Sequence, residues 1–380
     1  MKMPEMKNVS RIGLVLFLLV CLITPAAAAE DLDGTGEIRL TLEETLERAI
    51  RNSLGIEEAA LALERAEFEE YRQERTSRDI DPARDYIIYN SNYNAAVTKE
   101  VLVKQKEVAR TVREAAYEVQ SKAVKMEAEN AYYGLLKAQT DLTNARSALE
   151  RAREQMRISQ VSYDNGMISR GDLKGAQAAL ASRQAAVSAS EALWQKARMN
   201  LAAATGMPLN SQLVAADKVA FQELEVDLQE VLTDVLENDL SILSARGALD
   251  VAALKFEIAD RYYTPNTYVY REDNFTRREA ELNLRQARQD LEQSVRGAWY
   301  DLSSARAAYQ VLAASLPFAE ENYRVARVRY SEGMATRMEV EEAEGALREQ
   351  EQEVAAMLYQ YNLAKARFRY GLFGSGGAGF

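Results

Sequence analysis

Apolar and small residues recur every three and four positions along most of this chain. From Ala131 the series runs Leu135, Ala138, Leu142, Ala145, Leu149, Ala152, Met156, Ser159 and Tyr163, alternating small and large. A 4,3,4,3 spacing is a heptad seam and predicts a long helix supercoiled against a partner. Residues 99–163 contain no proline, which allows ~65 residues or ~100 Å of continuous helix. A second seam returns through Leu173, Leu180, Val187, Trp194 and Leu201, with polar Arg183 in register, and stops at Gly206 before Pro208.

The stretch between the two seams reads Tyr163-Asp-Asn-Gly166-Met167-Ile-Ser169-Arg170-Gly-Asp172-Leu173. A Gly after a periodic run stops a helix, and Ser followed three residues later by an acid opens the next one as a capping box. The stretch therefore predicts the tip of a helical hairpin. It recurs at an offset of 167 as Tyr330-Ser-Glu-Gly333-Met334-Ala-Thr336-Arg337-Met-Glu339-Val340. Outgoing and return seams flank it again, through Leu302, Tyr309, Leu316 and Tyr323, then Leu347, Val354, Tyr361 and Phe368. Gln350 stands where Arg183 stood, and Pro317 interrupts the outgoing helix, where a kink is expected.

The repeat extends upstream. Leu42, Leu46, Asn52, Leu54 and Ile56 return as Leu228, Leu232, Asn238, Leu240 and Ile242 at an offset of 186. The change of offset removes 19 residues from the second copy, between its short helices and its long hairpin. The expected organisation is a linker over 30–39, a first repeat over 40–208, a second over 226–371 and a flexible Gly-rich tail over 372–380. Each repeat loses its helical pattern once, over 79–99 and 264–276, where Tyr86, Tyr89, Tyr93, Tyr268 and Tyr270 cluster. The fold class is all-α or nearly so: long antiparallel coiled-coil hairpins in two tandem repeats. Off-seam apolar residues, Leu136, Ile158, Val161, Val311, Val325 and Val328, fit a second seam toward neighbouring hairpins and also fit ordinary scattered surface residues. Periodicity leaves both open.

The 380 residues include no histidine, six prolines and one cysteine, Cys21. Cys/His metal sites, thiol nucleophiles and histidine acid–base chemistry are thereby excluded. The remaining carboxylates, lysines, tyrosines and serines form no arrangement that singles out a reaction; no enzyme, cofactor or metal is expected. Lys2, Lys7 and Arg11, an apolar run from Ile12 to Ile23, and Ala26–Ala29 read as a secretory leader, residues 1–29, cleaved after Ala29. Twelve apolar residues are too few to span a bilayer, which takes about 20. Removing three cations and Glu5 takes away a net +2, so the formal charge falls from −11 to −13. An acidic exported protein is not a nucleic-acid binder.

Taken together, the opening Leu40-Thr-Leu-Glu-Glu with Asn52-Ser-Leu54, Ala131-Tyr-Tyr, the paired Tyr-x-x-Gly-x-x-Ser/Thr-x-x-Asp/Glu tips and the close at Leu201 to Gly206 resemble the TolC-like outer membrane efflux proteins. The resemblance covers nearly all of the mature chain. It implies a homotrimer forming a hollow barrel of twelve helices, a passive conduit working with a periplasmic adaptor and an inner-membrane pump. It implies adaptor-docking tips at Gly166, Met167, Arg170, Gly333, Met334 and Arg337, a gate tether at Asp172 and Tyr330, and an acidic pore constriction at Glu339 and Glu342. The second tip would then face the pore and the first stand outside it. The residue two past the second tip glycine, an arginine in that family, is Ala335 here.

In that family each interruption supplies two strands to an outer-membrane β-barrel. A membrane strand needs ~9–11 residues, and two strands with a turn do not fit in either interruption. The barrel is therefore expected to be shortened or missing, with the interruption tyrosines either contacting the outer membrane or packed as core aromatics. The expected place is the cell envelope, at the outer membrane or in the periplasm, or at the extracytoplasmic surface if there is no outer membrane. A rival reading is a non-conducting envelope coiled coil that binds an adaptor.

Overall fold

The computed structural model describes residues 32–33, 37–217 and 219–373. The expected leader and its cleavage at Ala29 lie outside them. Two short strands, β1 (Leu32–Asp33) and β2 (Glu37–Leu40), precede helix α1 (Leu42–Asn52). Part of the expected linker is thus strand. Thr41 opens α1 by a reciprocal capping box with Glu44. Helix α2 (Leu54–Ser77) follows, then a 3-10 turn over Asp85–Ile87 and a short helix α3 (Asn92–Ala96). One π-helical turn, Val97–Val101, carries α3 into α4 (Leu102–Asp164), and α5 (Arg170–Ala204) returns. Strand β3 (Leu213–Ala215) pairs parallel with β2, which pairs antiparallel with β1; Ile38 stands opposite Leu213 and Leu32.

The second repeat is α6 (Leu228–Asn238), α7 (Leu240–Tyr262), α8 (Tyr268–Ser331) and α9 (Arg337–Tyr370). Both interruptions are shorter than the sequence pattern indicates. Helix resumes at Asn92 and at Tyr268, and neither interruption contains a strand. Leu372 and Phe373, expected in the flexible tail, are buried, Phe373 against Phe368.

The helices form a single-layer row. Toward the interruptions the order is α2, α4, α7, α8; toward the tips it is α5, α4, α9, α8. Helix α4 is interior throughout. Its first half is tied to α2 by Lys106–Glu69 at 2.7 Å and Arg110–Glu70 at 2.7 Å, and the π-helical turn before it is tied to α7 by Arg261–Glu100 at 3.3 Å. Gly247 of α7 lets the two backbones approach, because a Cβ there would collide with Val108.

The core is thickest at the waist. Tyr132, Leu135, Leu201 and Leu213 bury together beneath the small sheet. The Tyr132 hydroxyl sits between the Asp217 carboxylate at 2.8 Å and the Leu40 carbonyl at 3.1 Å, and accepts the Asp217 N–H at 3.1 Å. That single phenol joins α4 to the chain on both sides of the sheet. A second polar knot joins the repeats. Glu129 of α4, 1% exposed, accepts from Arg369 Nη1 at 3.0 and 3.1 Å and from the Tyr370 hydroxyl at 2.9 Å. Burial, then the Glu129 charge, push the Tyr370 hydroxyl up to about 12.

Removing one partner of a buried pair strands the other. Glu129→Ala is expected to destabilise the chain by about 2–3 kcal/mol, less than for a fully dry pair because Arg369 is partly exposed. Urea unfolding checks this: the midpoint should fall with an unchanged slope.

Candidate functional site

The two tips are built alike. Gly166 and Gly333 take left-handed φ values of 73° and 71°, which only glycine adopts at no steric cost. At the first tip Met167 N–H donates to Ser162 O and Gly166 N–H to Tyr163 O, both at 2.8 Å. At the second, Met334 N–H donates to Arg329 O at 2.7 Å and Gly333 N–H to Tyr330 O at 3.0 Å. These paired bonds are Schellman closures. Reciprocal capping boxes, Ser169 with Asp172 and Thr336 with Glu339, then start the return helices. The sequence folds this way because helix stop and helix start lie within one turn of each other. Met167, Met334 and Met338 are left exposed on the tips.

The cap absorbs Asp172. Its carboxylate accepts the Ser169 N–H at 3.0 Å, and its pKa is lowered by the Ser169 hydroxyl, then the Ser169 amide. Tyr330 is half-exposed, and no hydrogen bond joins it to Asp172 within one protomer. The hairpins are tied elsewhere. Arg337 Nη1 lies 3.2 Å from Glu154 of α4, while its Nε holds Glu341 at 2.8 Å. One heptad further up, Arg151 of α4 approaches Glu344 of α9 at 4.0 Å. Arg337, expected as a docking residue, is thus part of a cross-hairpin tie. Glu154, Arg151 and Glu344 escaped the sequence reading; opposite charges at seam-flanking positions of two helices were the only signal for them.

The wall has two unlike faces. On α4, Tyr132, Gln139 and Arg146 are seven apart and share one face: Tyr132 meets Asp217, Gln139 Oε1 accepts the Ala215 N–H at 3.3 Å, and Arg146 pairs with Glu191 of α5. That face carries the sheet. Gly134, Asp141 and Ala148, also seven apart, line the opposite face. There a groove of about 580 Å³ runs between α4, α5 and α9, with Ala186 and Leu193 on one bank and Gly345 and Glu349 on the other. Glu342 lies one heptad below Glu349, so it shares this face, with Glu339 one turn nearer the tip. Both are exposed, and Glu339 is lowered in pKa by its cap with Thr336. Gly166, Arg170 and Gly333 are exposed at the tips.

At the far end the tyrosines divide. Tyr93 is core: it is buried, donates to Asp273 at 2.5 Å and packs edge-on against Tyr263. It cannot contact a membrane, because Asp273 and Lys255 hold it inside. Tyr89 and Tyr270 are half-buried, Tyr270 against Phe256. Tyr86 and Tyr268 are exposed, with Ile87 and Ile88 beside Tyr86. Among the described residues no helix is long and apolar enough to cross a membrane, and no cluster of metal-ligating side chains occurs.

A row of four long helices with two hairpin tips and a small waist sheet is the protomer architecture of helical-barrel channels. Residues 270–371, essentially α8 and α9, match the family model of the outer membrane efflux proteins. The fold as a whole matches VceC, an outer membrane protein of Vibrio cholerae, with a TM-score of 0.64 at 16% identity, over 88% of this chain and 97% of that one. It matches the CmeC outer membrane channel of Campylobacter jejuni with a TM-score of 0.66 at 14% identity, over 87% and 85%. It also matches the MtrE outer membrane channel of Neisseria gonorrhoeae, in its open state, with a TM-score of 0.61 at 15% identity, over 88% and 89%. No curated protein matches in sequence. The chain has the fold of the TolC-like outer membrane channels, and its second repeat carries the efflux-protein signature. CmeC and MtrE are outer membrane channels.

The cross-hairpin tie has a pH signature. Glu154 is held below its ordinary value of 4.5 by the hydrogen bond from Arg157, with Arg337 adding to it. A lowered carboxylate pKa keeps the pairing at neutral pH and loses it only as pH falls through the lowered value. Spin labels at Ile168→Cys and Ala335→Cys should report one separation from about pH 8 to about pH 5 and a wider spread below about pH 4. Glu154→Gln should show the wider spread at every pH.

Proposed function

We propose that this chain is the protomer of a homotrimeric duct of the cell envelope, a passive conduit coupled to a periplasmic adaptor and an inner-membrane pump. The observation that carries this reading is the pair of unlike edges of the helix row. Helix α8 ends the row with exposed Val311, Phe318 and Val325 at heptad spacing. Helix α5 ends it on the other side with exposed Ala178, Ala185 and Ala192, also at heptad spacing. Large side chains on one edge fit the small-residue edge of a second copy, and a head-to-tail contact of this kind generates a ring when the rotation between copies closes. Toward the interruptions both edges carry exposed large apolar residues at heptad spacing: Tyr268, Phe275 and Leu282 on α8, and Leu54, Leu61 and Phe68 on α2.

In such a ring the sheet-free face lines the lumen. Glu339 and Glu342 then form the acidic constriction near the tips, and Glu349 continues it upward. The Arg337–Glu154 and Arg151–Glu344 pairs take the tether role in place of Asp172 and Tyr330. The exposed tips, with Gly166, Met167, Arg170, Gly333 and Met334, are the surface offered to the adaptor. The opposite end meets the outer membrane through Tyr86 and Tyr268, with Ile87 and Ile88, and without strands of its own. The rival reading, a non-conducting scaffold, predicts no closed ring.

Two measurements test the proposal. The mature chain should have three times the protomer mass in detergent, and Ala185→Trp, which fills the small-residue edge, should leave a monomer. Reconstituted in planar bilayers, the trimer should prefer cations, and Glu339→Gln with Glu342→Gln should lower that preference by roughly two- to fivefold. A monomeric chain, or an anion preference untouched by the double substitution, overturns the reading.

A further inference from the structure

The chain carries a formal charge of −11, yet in one place cations outnumber acids. The groove on the sheet-free face of the wall holds Arg151 of α4, Arg183 of α5 and Arg348 of α9, one from each of its three helices. Toward the waist it runs on into a narrower stretch of about 210 Å³, which shares Asp141 and Leu193 with it and adds Lys137 and Lys196. Two carboxylates line the whole length, Asp141 and Glu349.

These cations are poorly matched within the protomer. Lys137 takes Asp141, at 2.6 Å. Arg348 holds Glu351 of its own helix at 3.0 Å, and the carboxylate that approaches Arg151, Glu344, stands at 4.0 Å. Arg183 and Lys196 are exposed and have no ion pair or hydrogen bond among the described residues. Cations gathered on one surface repel one another, and an anion set among them removes that cost. A guanidinium also offers parallel N–H donors that match the oxygens of a carboxylate, sulfonate or phosphate.

The floor suits an apolar body. Ala148 of α4 and Ala186 of α5 are small, and Leu193 is 61% exposed on the bank. Gly345 lies inside α9, where a glycine weakens the helix. No packing requires it, because a Cβ there would meet no neighbouring atom within 4 Å. The missing side chain keeps the groove broad beside Arg348. Its volume, about 580 Å³, is that of a small-molecule site.

We propose that this groove binds a flat organic polyanion: Arg151, Arg183 and Arg348 hold its acidic groups, and Ala148, Ala186 and Leu193 carry its apolar body. The ligand's route rests on the duct reading, in which this face lines the lumen; the binding itself does not depend on it. Arg348 stands nine residues from Glu339 along α9, or ~13 Å. The site therefore lies on the waist side of the acidic constriction, which repels a bound anion's return toward the tips. The preference of small ions is set at that constriction and not in the groove.

Fluorescence anisotropy of pyranine, a flat aromatic trisulfonate, titrated with the mature full-length chain in non-ionic detergent, tests this, with the mass measured in parallel. The dye should bind saturably, at one site per protomer. Arg183→Gln and Arg348→Gln should each weaken binding about fivefold to tenfold, and both together by roughly thirtyfold or more. Arg285→Gln, which removes an exposed cation elsewhere, on α8, should change binding by less than about twofold. Gly345→Leu, which fills the groove with a residue that favours helix, should weaken binding by roughly tenfold or more with every arginine in place. Naphthalene disulfonate should displace the dye, and inorganic sulfate at the same concentration should not. Binding that Arg285→Gln weakens as much as Arg183→Gln does, or that survives the double substitution or Gly345→Leu, overturns the site. Sulfate displacing the dye as well as naphthalene disulfonate does overturns the assignment of a flat body. A monomer that binds the dye in this way keeps the site and loses the duct; a trimer that does not bind it keeps the duct and loses the site.

Discussion

Helix α4 must satisfy two neighbours on opposite sides at once, and the rest of the molecule depends on that. Leu135, Leu142 and Leu149 are buried along one seam, toward α5. Glu129, Tyr133 and Glu154 meet α9 along the other, through Arg369, Tyr359 and Arg337. A helix with two opposed seams has two free faces left, and these are the faces of the wall. One is braced by the sheet through Tyr132 and Gln139; the other keeps Gly134, Asp141 and Ala148. Apolar packing sets the seams. The polar contacts at Glu129 and Tyr132 fix the axial register, since each has one carboxylate or one hydroxyl to place and several partners waiting for it.

The tips show how one local solution serves unequal ends. Both use a left-handed glycine, a Schellman closure and a capping box, so the turn itself does not distinguish them. The helices behind the turn do. The first return helix is rich in alanine, from Ala176 to Ala192; the second carries Glu339, Glu341, Glu342, Glu344, Glu349, Glu351 and Glu353. A helix so acidic repels its own kind, and the arginines Arg337 and Arg348 offset only part of it through Glu341, Glu154 and Glu351. The second hairpin is therefore the less self-sufficient of the two, and its position is set by partners more than by its own core.

Most of this architecture was legible in the sequence, because its signals are periodic or local. Heptad seams, stop glycines and capping boxes each act within one or two turns, and the internal repeat showed each of them twice. What was missed acts at long range. Glu37–Leu40 has the length of a linker, and only pairing with Leu213–Ala215 makes it a strand. Tyr93 reads equally as an interfacial or a core aromatic until Asp273, 180 residues away, is found beside it. Leu372 and Phe373 look like tail until they meet cores built from Met126 and from Leu291. The Arg337–Glu154 tie joins residues whose charges differ little from dozens of others on the same helices.

A row of helices with exposed edges cannot be the end of the story, and the distribution of small residues says which way it bends. Gly134, Ala148, Ala186 and Gly345 lie on the sheet-free face, where helices are free to approach. The opposite face is widened by Tyr132, by the sheet and by the segment from 219 to 227, which Tyr361 and Lys365 of α9 hold through the Gln222 carbonyl at 3.2 and 3.0 Å. Bulk on one face and small residues on the other favour bending of a helix layer toward the small side. A head-to-tail contact between unlike edges either runs on as a filament or closes as a ring, and the curvature of the subunit decides. In the ring proposed above, the face that carries Glu342 and Glu349 is the inner one, which places these carboxylates inside and the sheet outside. The asymmetry that braces α4 is thus the one that would decide the lining of the proposed ring.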